Sequence, residues 1–86
     1  MAYSIQYRRA AEKYLDSQTS AVQFRIMDAV DNLPKGNVIK LKGRNGYRLT
    51  IGGFRVLFDY TDTKTKDGKI IIDIVAIGPR GDVYKK

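Results

Sequence analysis

The sequence predicts an α+β domain: an N-terminal strand, a two-helix hairpin, then a three-stranded antiparallel sheet. Three observations carry this. Residues 2–7 alternate Tyr3, Ile5 and Tyr7 with small or polar residues, which is strand periodicity. Residues 8–33 then change to helical spacing. From residue 46 the period of two returns, broken by a Gly-Gly pair and later by a polar turn. At 86 residues and 43% apolar, the chain suits one domain, residues 1–86, with one small core.

The first helix is placed from Arg8 to about Ser17, with Ala10, Ala11, Tyr14 and Leu15 on its inner side. Thr19 is the N-cap of the second helix. Val22, Ile26, Val30 and Leu33 form its buried stripe, Phe24 and Met27 flank that stripe, and Pro34 and Gly36 end it. The short link between the helices makes them an antiparallel pair packed on the sheet. Val38 to Leu41 is a short strand or extended segment. Residues 46–59 read as a hairpin turning at Gly52-Gly53, because glycine accepts the positive φ of a two-residue turn. Alternation puts Leu49, Ile51, Phe54, Val56 and Phe58 on a core face, and Arg48, Thr50, Arg55 and Leu57 on an open one. Thr61 to Gly68 is a polar turn. Ile70 to Ile77 is a central strand, since little of it is polar, and Gly78-Pro79 stops it.

Composition narrows the chemistry. The chain carries 16 Lys+Arg against 9 Asp+Glu, a formal charge of +7. It has no acidic residue between Asp31 and Asp59, where Lys35, Lys40, Lys42, Arg44, Arg48 and Arg55 lie. A basic face on a small sheet fits a polyanion, first of all nucleic acid. There is no Cys and no His. That excludes disulfides, zinc–thiolate sites, thiol nucleophiles and the commonest general base. The scattered Asp59, Asp62, Asp67 and Asp73 define no metal site. No apolar run spans a membrane, and no apolar core follows Arg8-Arg9, so neither an anchor nor a signal peptide is expected.

Arg48 and Arg55 are expected as diagonal neighbours on the open face. Two guanidinium groups there repel each other unless an anion lies between them, where both make charge-assisted bonds. Arg80 follows the Gly78-Pro79 turn and joins Arg55 if the last strand lies beside the Phe54 strand. Tyr84 offers a phenol for base stacking or proton transfer. Lys40, Lys42 and Arg44 are candidate phosphate contacts, as are Lys85 and Lys86 in the tail. Taken singly, each of these cations also fits an ordinary solvated side chain, and Tyr84 a phenol packed on the sheet edge with one hydrogen bond.

Together, Leu41-Lys42-Gly43, Tyr47-Arg48-Leu49, Gly53-Phe54-Arg55-Val56-Leu57-Phe58 and Ile77-Gly78-Pro79-Arg80-Gly81-Asp82-Val83-Tyr84 resemble the RelE/ParE superfamily of toxins from toxin–antitoxin pairs. The resemblance covers nearly the whole chain and implies a RelE-like βααβββ fold. For the RelE branch it implies a cytoplasmic, metal-independent and cofactor-free endoribonuclease, an mRNA interferase that cuts translated mRNA in the ribosomal A site. Arg48, Arg55, Arg80 and Tyr84 match that branch's catalytic places. Thr50 stands where RelE has a hairpin lysine implicated in proton transfer, so the general base stays unassigned. The implied partners are a cognate antitoxin, mRNA and the ribosome, with operator DNA met only through the antitoxin. Phe24, Met27 and the helix surface would take the antitoxin's apolar residues, and the basic hairpin its acidic ones. Two alternatives stay open: a ParE-like gyrase inhibitor, which leaves the arginines without a role, and a catalytically weak member acting in a repressor complex.

Overall fold

The computed structural model describes residues 3–79. Its elements run β1 (Tyr3–Tyr7), α1 (Arg9–Asp16), α2 (Ser20–Asp31), β2 (Asn37–Lys40), β3 (Tyr47–Ile51), β4 (Phe54–Lys64) and β5 (Ile70–Pro79). The α+β class and the order strand, helix, helix, then strands are as expected.

The sheet is larger than expected. Four strands follow the helices, and all five strands form one mixed sheet in the order β1-β5-β4-β3-β2. The extra strand is the extended segment around Val38, which pairs antiparallel with β3 from Asn37↔Thr50 to Lys40↔Tyr47. The N-terminal strand joins β5 in parallel, with Ile5 opposite Ile72. The connection between these parallel neighbours runs through both helices and then β2, β3 and β4.

The helix ends follow local chemistry. Thr19 caps α2 by accepting from the Val22 N–H at 3.3 Å. Gln23 donates to the carbonyls of Leu15 at 2.8 Å and Gln18 at 3.1 Å, which fastens α2 to the end of α1. Ala11, Leu15, Ile26, Val30 and Leu33 meet Leu49, Ile51, Val56, Phe58, Ile72, Ile74 and Ile77 in one core. Ala10 lies outside it, exposed.

Two irregularities correct the simple alternation. Leu57 pairs with Ala76 but Phe58 with Ile74, so Val75 is an extra residue in β5. This bulge switches the parity of the strand, and Ile72, Ile74 and Ile77 all reach the core. Further on, Tyr60 pairs with Ile72 and Lys64 with Ile70, so β4 continues through a second bulge across part of the expected polar turn. The Thr61 hydroxyl accepts from the Thr63 N–H inside that bulge at 3.1 Å. The reversal itself is confined to Thr65–Lys69, with Gly68 at φ 83°. β5 is an interior strand, as read, but it runs on to Pro79, which lies opposite Phe54.

Candidate nucleic-acid interface

The register of β3 and β4 makes the expected arginine pair. Thr50 faces Arg55 and Arg48 faces Leu57, so Arg48 and Arg55 are diagonal neighbours on the face away from the helices. Such neighbours have Cβ atoms roughly 7–8 Å apart, close enough for both long side chains to reach one anion. Both residues are half-buried. Gly78 sits opposite Arg55 on β5, and Ala76 opposite Leu57, so the floor beside the arginines is low.

Leu57 corrects the expected open face. It is 5% exposed, as buried as Leu33 of the core. Arg48 flanks it on one side and Ala76 on the other. The aliphatic stems of long side chains exclude water from an apolar neighbour while their charged heads stay wet. The open face is therefore an apolar strip bordered by guanidinium groups.

The turn at the end of the hairpin is built tightly. Only Gly52 takes positive φ, 55°, whereas Gly53 does not, so the two glycines are not equivalent. This is the pattern of a turn needing glycine at its first central position. Arg55 folds back over it, donating from Nη1 to the carbonyls of Phe54 at 3.2 Å and Gly52 at 3.4 Å. From the other side, the Arg25 guanidinium of α2 occupies the space where a Gly52 Cβ would project. No local pattern around Arg25 signals this contact, since its partner turn lies far along the chain.

The remaining candidates separate. Lys40 places its Nζ 5.1 Å from the centre of the Tyr47 ring. Tyr47 stacks on buried Phe58, so Lys40 serves the helix-covered side and not the arginine face. Lys42 and Arg44 are exposed in the β2–β3 connection. Arg80, Tyr84, Lys85 and Lys86 lie outside the described residues. β5 does run beside β4, and its last described residue, Pro79, is opposite Phe54.

The far end of the same face is acidic. Asp59 faces Asp73 across β4 and β5. Asp73 is only 4% exposed and is held by Arg8, whose Nε and Nη2 both lie 2.6 Å from Oδ2. That hydrogen bond, and then the charge of Asp73, raises the Arg8 guanidinium above its ordinary pKa. Among the described residues this is the sole ion pair with an N–O distance within 4.0 Å. No group of three or more acidic residues there could hold a metal ion, and no helix is long and apolar enough to cross a membrane. A groove of about 400 Å3 lies between the end of α2 and the β2–β3 pair, lined by Asp28, Ala29, Asn32, Leu49 and Ile51 among others. Neither Arg48 nor Arg55 lines it.

No protein-family model matches the chain, and no curated protein matches it significantly in sequence. A solved structure does. A chain of the crystal structure of the archaeal RelE–RelB complex from Pyrococcus horikoshii OT3 is 28% identical, with a TM-score of 0.66. The match covers 95% of this chain and 99% of that one. This chain is similar in fold and sequence to that RelE. The likeness extends over almost all of both chains, so it takes in the sheet, the helix pair and the arginine-bearing hairpin together.

Proposed function

We propose that this RelE-like protein is the toxin of a toxin–antitoxin pair and acts as a ribosome-dependent endoribonuclease on translated mRNA. The observation that carries this is the Arg48–Arg55 diagonal on the open face of a RelE-like sheet. RNA strand cleavage by its own 2′-hydroxyl needs no enzyme nucleophile. It needs in-line geometry, removal of the 2′ proton, stabilisation of the charged phosphorane and protonation of the leaving 5′ oxygen. Preorganised cations supply the charge stabilisation, commonly the largest of these contributions. In this reading Arg48, Arg55 and Arg80 hold the phosphorane, Tyr84 stacks on a base or transfers a proton, and no metal or cofactor is required. No residue is assigned as the general base in this reading. Lys42, Arg44, Lys85 and Lys86 would contact RNA or ribosomal phosphates; Lys40, turned towards Tyr47, would do so only from the opposite side. The dependence on a 2′-hydroxyl makes DNA a non-substrate.

The antitoxin is the second partner. The archaeal RelE was crystallised with RelB. By analogy a cognate antitoxin would cover this chain, its apolar residues meeting Phe24 and Met27, which are 75% and 42% exposed on α2. A cytoplasmic location belongs to the same proposal.

The test is induced expression in a bacterial host with mRNA 5′ ends mapped within minutes, against an Arg48→Ala/Arg55→Ala variant. New ends inside translated codons, absent in the variant, support the nuclease. Growth arrest with intact mRNA and broken or unsegregated DNA would replace it with a gyrase poison.

A further inference from the structure

Two guanidinium groups reach Gly52 from opposite sides of the sheet. Arg55 comes from β4 and donates to the Gly52 carbonyl; Arg25 comes from α2 and fills the space beside the Gly52 Cα. Neither has an acidic partner among the described residues. Arg25 makes no hydrogen bond there at all, and Arg55 uses only Nη1, at long distances, on two carbonyls. Most of the donors of two planar forks therefore remain available at one turn. Two cations at one turn repel, and no carboxylate lies within 4.0 Å of either guanidinium among the described residues. A single phosphate between or beside the forks reverses the sign of that interaction and gives both arginines charge-assisted hydrogen bonds.

We infer that Arg25 and Arg55 together clasp a backbone phosphate of single-stranded RNA at the Gly52 turn, making Arg25 of α2 an RNA-positioning residue. This rests on the RNA reading of the preceding section and extends it. The substrate strand, engaged on the open face by Arg48 and Arg55, would pass over the tip of the hairpin to the helix side. Gly52 is required twice, for its positive φ and for the room it leaves Arg25. Gly53 has open space where a Cβ would project and no positive φ, so it is a built-in control.

The test is anisotropy binding of the full-length protein to a labelled, uncleavable 2′-O-methylated RNA dodecamer across a salt series. Arg25→Ala is expected to weaken binding roughly tenfold at low salt and to reduce the slope of log affinity against log salt by about 0.7, the loss of one phosphate contact. Arg25→Lys should keep the slope but recover only part of the affinity. Arg25→Ala/Arg55→Ala should lose less than the product of the two single losses, because both act on one phosphate. Gly52→Ala, checked by thermal melting to be folded, should lose affinity as Arg25→Ala does, and Gly53→Ala should not. A wild-type slope in Arg25→Ala overturns the inference. So does absence of RNA binding by the wild type at low salt, or RNA affinity unchanged while capture of an acidic peptide is lost, which would give the pair to a protein partner. The nuclease reading is scored separately by mRNA ends in cells. Cleavage with Arg25-independent binding removes this inference alone; Arg25-dependent binding without cleavage removes the nuclease alone.

Discussion

The two faces of the one sheet solve different problems with the same strands. The helix-covered face buries Leu49, Val56, Phe58, Ile72 and Ile74 at 2% exposure or less, and its stability is that of a packed core. The other face carries charge along its length: Arg48 and Arg55 near the hairpin turn, Asp59 and Asp73 at the opposite end, with Arg8 neutralising the buried Asp73. At the acidic end Arg8 meets Asp73 Oδ2, while Asp73 Oδ1 stays buried with no hydrogen-bond partner among the described residues. Arg55 and its neighbour across the turn, Arg25, have no carboxylate within 4.0 Å among the described residues. The difference teaches where to look for a ligand: charge balanced internally holds the fold, and charge left unbalanced at a tight turn is available to a partner.

The sharpest way to break this division is at its core side. Phe58→Ala should cost about 3–5 kcal/mol, much of the stability of a domain this small, and should show in denaturant melts. On the open side, Arg55→Ala should leave the melt nearly unchanged while cleavage in a translating extract falls on the order of 100-fold, as when one donor to a developing oxyanion is removed. Leu57→Ala tests whether the open face is wet throughout. Its burial predicts a loss of about 2–3 kcal/mol, whereas a solvated leucine would lose only a few tenths.

The smallest effect concerns Tyr7. Its phenol is pushed up to about 12, by burial first and then by the charge of Asp31. The unfolded chain loses that proton near pH 10 and the folded chain retains it longer. This contribution to stability is therefore whole below about pH 10 and falls away as the pH rises towards 12. The hydroxyl is buried with no hydrogen-bond partner among the described residues. Tyr7→Phe should thus be neutral or stabilising by up to about 1 kcal/mol at neutral pH, and the alkaline decline in melting temperature should flatten. A part of the decline should persist, because burial, and then Tyr3 and Tyr47, also raise Tyr60.

Much of this molecule is local enough to be legible in the residues. Thr19 as a cap, the Val22-Ile26-Val30-Leu33 stripe and the hairpin at Gly52 each depend on spacing over a few positions. The Arg48–Arg55 diagonal follows once the turn is placed. Leu57 was misread because alternation assigns a face but not what borders it. The second half of β4 was hidden by Thr61, Asp62 and Thr63, whose polarity signals a turn although the ladder merely bulges around them.

What the sequence by itself determined was the identity of the elements, the charge of the hairpin and the parity of its two strands, because these follow from backbone periodicity and turn chemistry within short windows. Only the tertiary structure decided that β1 pairs in parallel with β5, that the Val75 bulge turns Ile77 inward, and that Arg25 meets Gly52. Each of these depends on where distant segments pack, and no local propensity encodes a contact between a helix and a turn 27 residues further along.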